Sequence, residues 1–378
     1  MQSHMTCNVA QLLPRVPESC FWEITDACNL RCLHCEADAG NAALDELTTP
    51  EAFDVVQQLA NAGCQRVFLT GGEPLLRPDW PGIAKRFSDL QISVSIITNG
   101  VLVNPPAILR MLEAGIGGLS VSLDGDREVH DAIRIPARGS TPSSYDAALR
   151  AIELGVASPL KTAVVSQIHR KNLQQLRKLY ELMVSLGVAV WQVQICMPLG
   201  RMRARVEEFL IDSTDVVDVE RQLASFIEEG RLRIAVGDNI GYYGRSEPTL
   251  RGALRNTKSF WLGCLAGCRA VGLCSNGDVK GCPSHPRSLV VGSLRQESFA
   301  QIWGDASRFA YNTSDITSQL AEGCRACAYH RLCRGGCRSM ALGTSGNMFD
   351  NRYCLQRLEA RACEDVQESC VSAKASQP

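Results

Sequence analysis

Long apolar runs are missing from this 378-residue chain, so no stretch of it reads as a bilayer-spanning helix. A charged start followed by an apolar segment is missing too, which leaves no secretory signal peptide. Neither sign of charge dominates: 39 Lys and Arg stand against 40 Asp and Glu, for a formal net charge of −1. That balance gives no footing for nucleic acid or for an anionic membrane surface. No repeat of fixed period and no long low-complexity segment marks the chain. A cytoplasmic location is the expectation. The opening Met1-Gln2-Ser3-His4-Met5 reads as a cloning remnant.

Cysteine is what the chain has in excess, with 18 residues. In a reducing compartment, crowded cysteines bind metal or carry redox chemistry rather than form disulfides. They are gathered in two places. Cys28, Cys32 and Cys35 share one short segment, and nine lie from Cys264 to Cys354, with only Cys64 and Cys196 between the two groups. Two cysteine-bearing modules therefore flank a cysteine-poor body.

That body alternates between two periodicities. β-rich runs at Ser19–Thr25, Arg66–Thr70, Ile92–Thr98, Gly117–Leu123, Pro159–Ser166 and Val188–Ile195 alternate with helix-like stretches. The latter fall at Thr49–Ala62, Pro81–Leu90, Pro105–Ala114, Ser143–Leu154 and Asn172–Leu186. Thr48 or Thr49 before Pro50 and Glu51 is a helix start, and Gly63, Gly115, Gly155 and Gly187 are expected helix ends. Strand–helix alternation predicts parallel βαβ units, and six of them make a partial (β/α)6 TIM-like barrel. Reactive groups in such a barrel sit at the C-terminal ends of the strands. After Met202 the pattern changes to a charged helical stretch, Arg203–Arg231, and a strand and loop at Ile234–Arg245. The expected division is an N-terminal segment 1–18, a barrel 19–202, a bridge 203–262, a cysteine-rich domain 263–360 and a frayed tail 361–378.

Cys28, Cys32 and Cys35 have the spacing Cys-x3-Cys-x2-Cys and follow the first strand. Three thiolates on one loop can hold three irons of a cubane that normally takes four cysteines, leaving one iron free for a ligand. Zinc is the alternative, although zinc sites usually use paired Cys-x2-Cys units. At this point the chain resembles the radical SAM superfamily. The resemblance implies a [4Fe–4S] cluster on these cysteines, with S-adenosylmethionine chelating the open iron. Reductive cleavage then yields a 5′-deoxyadenosyl radical that abstracts hydrogen. Other segments agree: Gly71-Gly72-Glu73-Pro74 after the second strand, Thr98-Asn99 after the third, and Ser122 and Asp124 after the fourth. The resemblance places these, with Arg134 and Met197, around S-adenosylmethionine. Glu73 suits the ammonium group and Arg134 a carboxylate. Cys64 and Cys196 read as buried packing, and His34 as packing within the cluster loop.

The second module, Cys324-x2-Cys327-x5-Cys333-x3-Cys337 with Cys354 beyond, resembles the SPASM extension of that superfamily. Ser275-Asn276-Gly277-Asp278 is a hairpin turn signal within it. The resemblance implies two auxiliary clusters. Cys324, Cys327, Cys333 and Cys354 make one; Cys264, Cys282 and Cys337 belong to the other. Cys268 is the preferred fourth ligand, with Cys274 or an open iron as alternatives. A zinc ribbon is the alternative for the module as a whole.

Enzymes with this extension often modify peptides, by crosslinking, epimerisation or oxidation, so a precursor peptide is the expected substrate. A sulfatase-type maturase and an enzyme acting on a small molecule or tetrapyrrole are the alternatives; a non-catalytic iron–sulfur or zinc protein is the reading of a different class. The stretch before the first strand is too short for a leader-binding domain. A leader is therefore expected on a separate protein, or on the barrel and bridge. A flavodoxin- or ferredoxin-type protein is the expected electron donor. Candidates for a base or hydrogen donor are Asp238, Cys274 and Cys196. The bridge tyrosines Tyr242 and Tyr243 are expected near the active site.

Overall fold

A computed structural model describes residues 15–137, 143–254 and 259–360. The cloning remnant and the tail 361–378 lie outside the described residues. Seven parallel strands run in chain order: β1 (Ser19–Thr25), β2 (Arg66–Gly71), β3 (Ser93–Thr98), β4 (Ile116–Ser122), β5 (Lys161–Ile168), β6 (Val190–Ile195) and β7 (Ile234–Val236). Helices cross between them: α1 (Thr49–Asn61), α2 (Trp80–Asp89), α3 (Pro105–Glu113), α4 (Arg127–Ile133), α5 (Ser144–Val156), α6 (Leu176–Leu186) and α7 (Asp215–Glu229). The strands show strict alternation in burial. In β1, Cys20, Trp22 and Ile24 are wholly buried among the helices, while Phe21 and Glu23 face the barrel interior. This is the period-2 pleat of a sheet covered on its outer face.

The helix starts are chemically specified. Thr48 caps α1, its hydroxyl and the Glu51 carboxylate satisfying each other's backbone N–H in a capping box. Gly187 ends α6 in the left-handed region at φ 69. Gly155 does not end its helix. It lies inside α5, where a Cβ would stand 2.6 Å from Thr162 Oγ1 and 2.9 Å from Leu119 Cδ2, so it lets α5 lie against β4 and β5.

The barrel sheet continues past the six expected strands at both edges. β7 extends it beyond β6. At the other edge β8 (Ala270–Leu273) pairs in parallel with β1, and β9 (Asp278–Lys280) and β10 (Gly292–Ser293) follow antiparallel. The cysteine-rich hairpin is thus hydrogen-bonded into the barrel's own sheet, through Ser19 to Trp22 opposite Ala270 to Leu273. Among the described residues, no helix is long and apolar enough to cross a membrane.

Candidate active site and auxiliary cysteine sites

The loop after β1 is held as a rigid bowl. Cys28 donates its N–H to Gly40 O (2.8 Å), and Leu33 to Ile133 O at the end of α4 (2.9 Å). Arg201 closes the far side, its guanidinium bonding Cys32 O at 2.9 Å and Ala39 O at 2.7 Å. Gly200 makes this approach possible: its φ is +52, and a Cβ would lie 2.1 Å from Glu36 O. Nothing in the sequence pattern signalled Arg201. Gly71 and Gly72 serve the same loop, since a Cβ on either would fall 2.2 Å from Thr25 O or 2.1 Å from Ala27 O. The glycines therefore seat the cluster loop on the end of β2.

Cys28, Cys32 and Cys35 line a cavity of about 270 Å³ at the C-terminal ends of the strands. Gly71, Gly72, Thr98, Asn99, Ser122 and Arg134 line it with them. All fifteen described cysteines are free thiols. Burial pushes the Cys32 thiol up to about 12, against the opposing pull of Arg134. A thiolate in that position needs a cation beside it, and iron supplies one. A single zinc ion would draw its sulfurs to about 2.3 Å of one point. Among the described residues no group of three His, Cys, Asp or Glu is arranged to hold one ion. A cubane takes each thiolate on a separate iron, and three thiols opening on one cavity suit it.

The other residues expected around S-adenosylmethionine divide into a lining and a backing. Asn99 Nδ2 reaches Asn29 Oδ1 (2.7 Å) and lies 4.0 Å from Cys28 Sγ. Glu73 is fully buried behind the cavity wall. Its carboxylate accepts from Thr98 Oγ1 (2.8 Å), Asn99 N (2.9 Å) and Leu75 N (3.2 Å). Burial raises it to about 7. Pro74 starts the short turn behind it, and Met197 is buried outside the lining.

Asp124 is also fully buried. It accepts from Arg134 Nε (2.6 Å) and Gln167 N (2.8 Å) and pairs with His34 Nε2 (3.1 Å). Burial alone would raise this carboxyl, but Arg134, His34 and His130 hold it well below the usual range. Arg134 in turn points Nη1 to Cys32 Sγ at 3.9 Å. His34 thus does more than pack: it helps clamp the carboxylate that orients Arg134. Burial pushes His130 and His169 down to about 3, so both are neutral and donate or accept as neutral rings.

Cys196 is wholly buried and Cys274 nearly so, and neither lines the cavity. Asp238 is accessible yet crowded: burial raises its carboxyl against the pull of Arg251 and a Trp261 hydrogen bond, it acts on Cys282 and Cys337, and its backbone carbonyl accepts from Tyr242 Oη at 2.6 Å. Tyr242 and Tyr243 do not reach the cavity. They pack with Trp261 against Cys264, Cys333, Cys337 and Cys354. No lining residue comes from 203–262.

The C-terminal cysteines fall into two neighbourhoods. Burial raises Cys354 to about 11, with Cys324 and Cys327 adding to it, and those same two act on Cys333. Cys264 acts on Cys268, Cys282 and Cys337. Cys274 faces Lys280 and Glu23 instead. Cys268 keeps company with Cys264, Cys282 and Cys337, and Cys354 with Cys324, Cys327 and Cys333.

Comparison with known proteins follows the same lines. The family model of the radical SAM superfamily matches residues 22–183, and that of an iron–sulfur cluster-binding domain, SPASM, matches residues 264–328. The AdoMet-dependent heme synthase of Methanosarcina barkeri is 29% identical over 358 residues, covering 91% of this chain and 98% of that one. The mycofactocin maturase MftC of Mycobacterium ulcerans is 30% identical over 344 residues, covering 88% of each. Among solved structures, native anSMEcpe with bound AdoMet superposes with a TM-score of 0.70 at 17% identity, over 95% of this chain and all (100%) of that one. That last likeness establishes the fold.

Proposed function

The chain belongs to the radical SAM superfamily, with an iron–sulfur cluster-binding domain behind its barrel, and on that premise we propose that it is a maturase of a ribosomally made peptide. Bound at Cys28, Cys32 and Cys35, a [4Fe–4S] cluster with S-adenosylmethionine supplies reductive cleavage to a 5′-deoxyadenosyl radical that takes a hydrogen atom. The chain's residues hold and shield that chemistry. The loop 26–40 presents three thiols, Gly71 and Gly72 bring the second strand up to it, and Arg134, fixed by Asp124, faces the cavity with a cation suited to a carboxylate.

The observation that carries the peptide reading is the character of the lining. Gln167, Gln192 and Gln194 contribute carboxamides from β5 and β6, and Gln167 Oε1 is buried with no partner. A carboxamide offers a donor and an acceptor, which matches a peptide group. Of the described lining cations, Arg201 is engaged by two carbonyls and Asp38, which leaves Arg134, held by Asp124 through Nε, to face the cavity alone. A tetrapyrrole bearing several carboxylates would call for free cations there. The heme synthase relative keeps that second reading in view.

The deciding experiment is anaerobic co-expression with a short open reading frame from beside the gene, followed by mass spectrometry. The expected result is a defined mass change in the peptide that is lost in Cys32→Ala. Turnover of an iron tetrapyrrole with propionate side chains, and none of the peptide, would favour the heme-synthase-like reading. A flavodoxin or ferredoxin is the electron donor in this proposal, and the leader is held by a separate protein or by the barrel and bridge.

A further inference from the structure

Five cationic side chains are buried among the described residues, and three of them have carboxylate partners. Arg77 pairs with Asp79 (2.7 Å), Arg134 with Asp124 (2.6 Å) and Lys280 with Glu23 (3.2 Å). The other two, Arg334 and Arg338, have none within ion-pair distance among the described residues. Arg338 is only 1% exposed. Its guanidinium donates to Asn312 Oδ1 (3.1 Å), Tyr311 O (3.1 Å) and Met348 O (3.2 Å), and to Arg334 O, and it lies over the Phe349 ring. Arg334 donates only to the carbonyls of Asn312 and Ser314. Carbonyl dipoles satisfy hydrogen bonds but do not neutralise a charge. Asp315 acts on Arg334 from beyond ion-pair distance, and burying two adjacent guanidinium groups with so little counter-charge is strongly unfavourable.

The sequence places that counter-charge next door. Arg334 follows Cys333 and Arg338 follows Cys337, and Cys337 caps the helix α8 (Arg338–Ser345) that carries Arg338. The backbone is bent to allow it. Arg334 holds a left-handed φ of 56, and Gly335 and Gly336 continue at 87 and 81. A Cβ on Gly335 would stand 3.3 Å from Arg338 Nη1. Arg338 follows Cys337 directly and donates to Arg334 O, next to Cys333, so it stands beside thiols of both auxiliary groups. Arg334 and Cys268 share one acceptor, the Asn312 carbonyl, and Asp315 is the carboxylate that acts on Arg334.

We propose that Arg334 and Arg338 are the buried counter-ions of the auxiliary iron–sulfur clusters and set their reduction potentials, Arg338 acting on both groups from between them. This rests on the auxiliary-cluster reading above. Four thiolates outweigh the charge of a four-iron core, so each cluster is anionic and becomes more so by one unit when it takes up one electron. A fixed cation favours that more negative state and raises the potential. Clusters poised in this way accept an electron from a substrate radical more readily. Arg334 and Arg338 are positioning residues here, since they touch neither substrate nor nucleotide.

The test is a redox titration of anaerobically reconstituted full-length protein with dithionite and mediators, read by electron paramagnetic resonance. Arg338→Gln is expected to keep its iron and to shift the auxiliary midpoints to more negative potential. The expected shift is at least tenfold in the one-electron reduction equilibrium, about 59 mV. Arg338→Lys, which keeps the charge but loses the planar fork, holds most of the wild-type midpoint. The Cys28, Cys32 and Cys35 cluster serves as the unshifted reference. Full iron content with unmoved auxiliary midpoints in Arg338→Gln overturns the proposal. Should that variant fail to fold, Arg334→Gln is read by the same two outcomes. A second readout is the rise in melting temperature on reconstitution. It shrinks in the variants if the arginines answer cluster charge, and stays equal to wild type if they are merely structural. Wild-type protein that takes up iron only at the barrel site sinks the auxiliary reading itself. Auxiliary iron with unshifted potentials sinks this inference alone.

Discussion

The barrel site and the cysteine-rich region solve the same electrostatic problem in opposite ways. At the barrel site the buried cation Arg134 has its own carboxylate in Asp124, which is pinned by His34 and the Gln167 amide. The arrangement is neutral before any cofactor arrives. In the C-terminal region Arg334 and Arg338 have carbonyls for partners and thiols for neighbours. On the counter-ion proposal, what its cysteines hold completes that region electrically. The difference then predicts that the barrel folds as a self-sufficient scaffold, whereas the auxiliary region couples its folding to metal uptake.

The sharpest way to break this comparison is to remove one thiol from each region. Cys32→Ala is expected to abolish 5′-deoxyadenosine formation from S-adenosylmethionine. Cys333→Ala is expected to leave cleavage in place while product formation on the peptide is lost. Chromatography of the nucleoside products alongside peptide mass spectrometry checks both. If Cys333→Ala also silences cleavage, the two regions are not separable in function.

Next in size is Asp124→Ala. It strands a buried guanidinium, and losing one partner of a buried pair costs about 3–5 kcal/mol. Denaturant unfolding of the metal-free protein should show most of that loss. Reconstitution should recover part of it, because Arg134 also faces Cys32. An unchanged midpoint of unfolding would mean that Asp124 does not neutralise Arg134.

Gly72→Ala should cost less, about 1–3 kcal/mol, as an overpacked contact that the backbone must relieve. The added methyl meets Ala27 O and Asp26 O, both on the cluster loop. Its signature is local: lower iron occupancy at the barrel site, with auxiliary iron unchanged. Iron analysis with electron paramagnetic resonance separates the two.

Much of this was legible in the sequence, for identifiable reasons. The six barrel strands and five of the six helices between them carry period-2 and period-3.6 patterns, the exception being the seven-residue α4, and the Thr48–Glu51 box is written in four residues. The two cysteine-bearing modules show in the spacing, while the groupings within the second come from the family resemblance. What escaped was long-range or too short to show a period. The strand expected within Ile234–Arg245 is β7, but its three residues do not show that it extends the barrel sheet, and nothing local announces that Ala270–Leu273 will pair with Ser19–Trp22. Arg201 gave no signal, because its partners are backbone carbonyls of the cluster loop. Gly155 looked like a helix end, since sequence alone does not separate a cap from a close helix–sheet contact. Tyr242 and Tyr243 were expected at the active site but serve the auxiliary cysteines, because the bridge turns its aromatic face towards Trp261.

The smallest effect concerns pH and again separates the regions. His130 and His169, beside the barrel site, are buried and neutral, pushed down to about 3 by burial. The unfolded chain protonates them near their ordinary value of about 6.5. Between those limits the unfolded state binds more protons, so folded stability is full above about pH 6.5 and falls as pH drops towards 3. Each histidine contributes a slope of roughly 1.4 kcal/mol per pH unit in that window. His169→Gln keeps an acceptor for the Lys171 N–H and removes one proton from the balance. Its stability should therefore fall less steeply than wild type between pH 6 and 4, by roughly 1.4 kcal/mol per unit. Both proteins share every other titrating group, so the difference in slope reports His169 alone. Parallel acid limbs would show that His169 takes up its proton without leaving the fold, and that the barrel site is less enclosed than its geometry indicates.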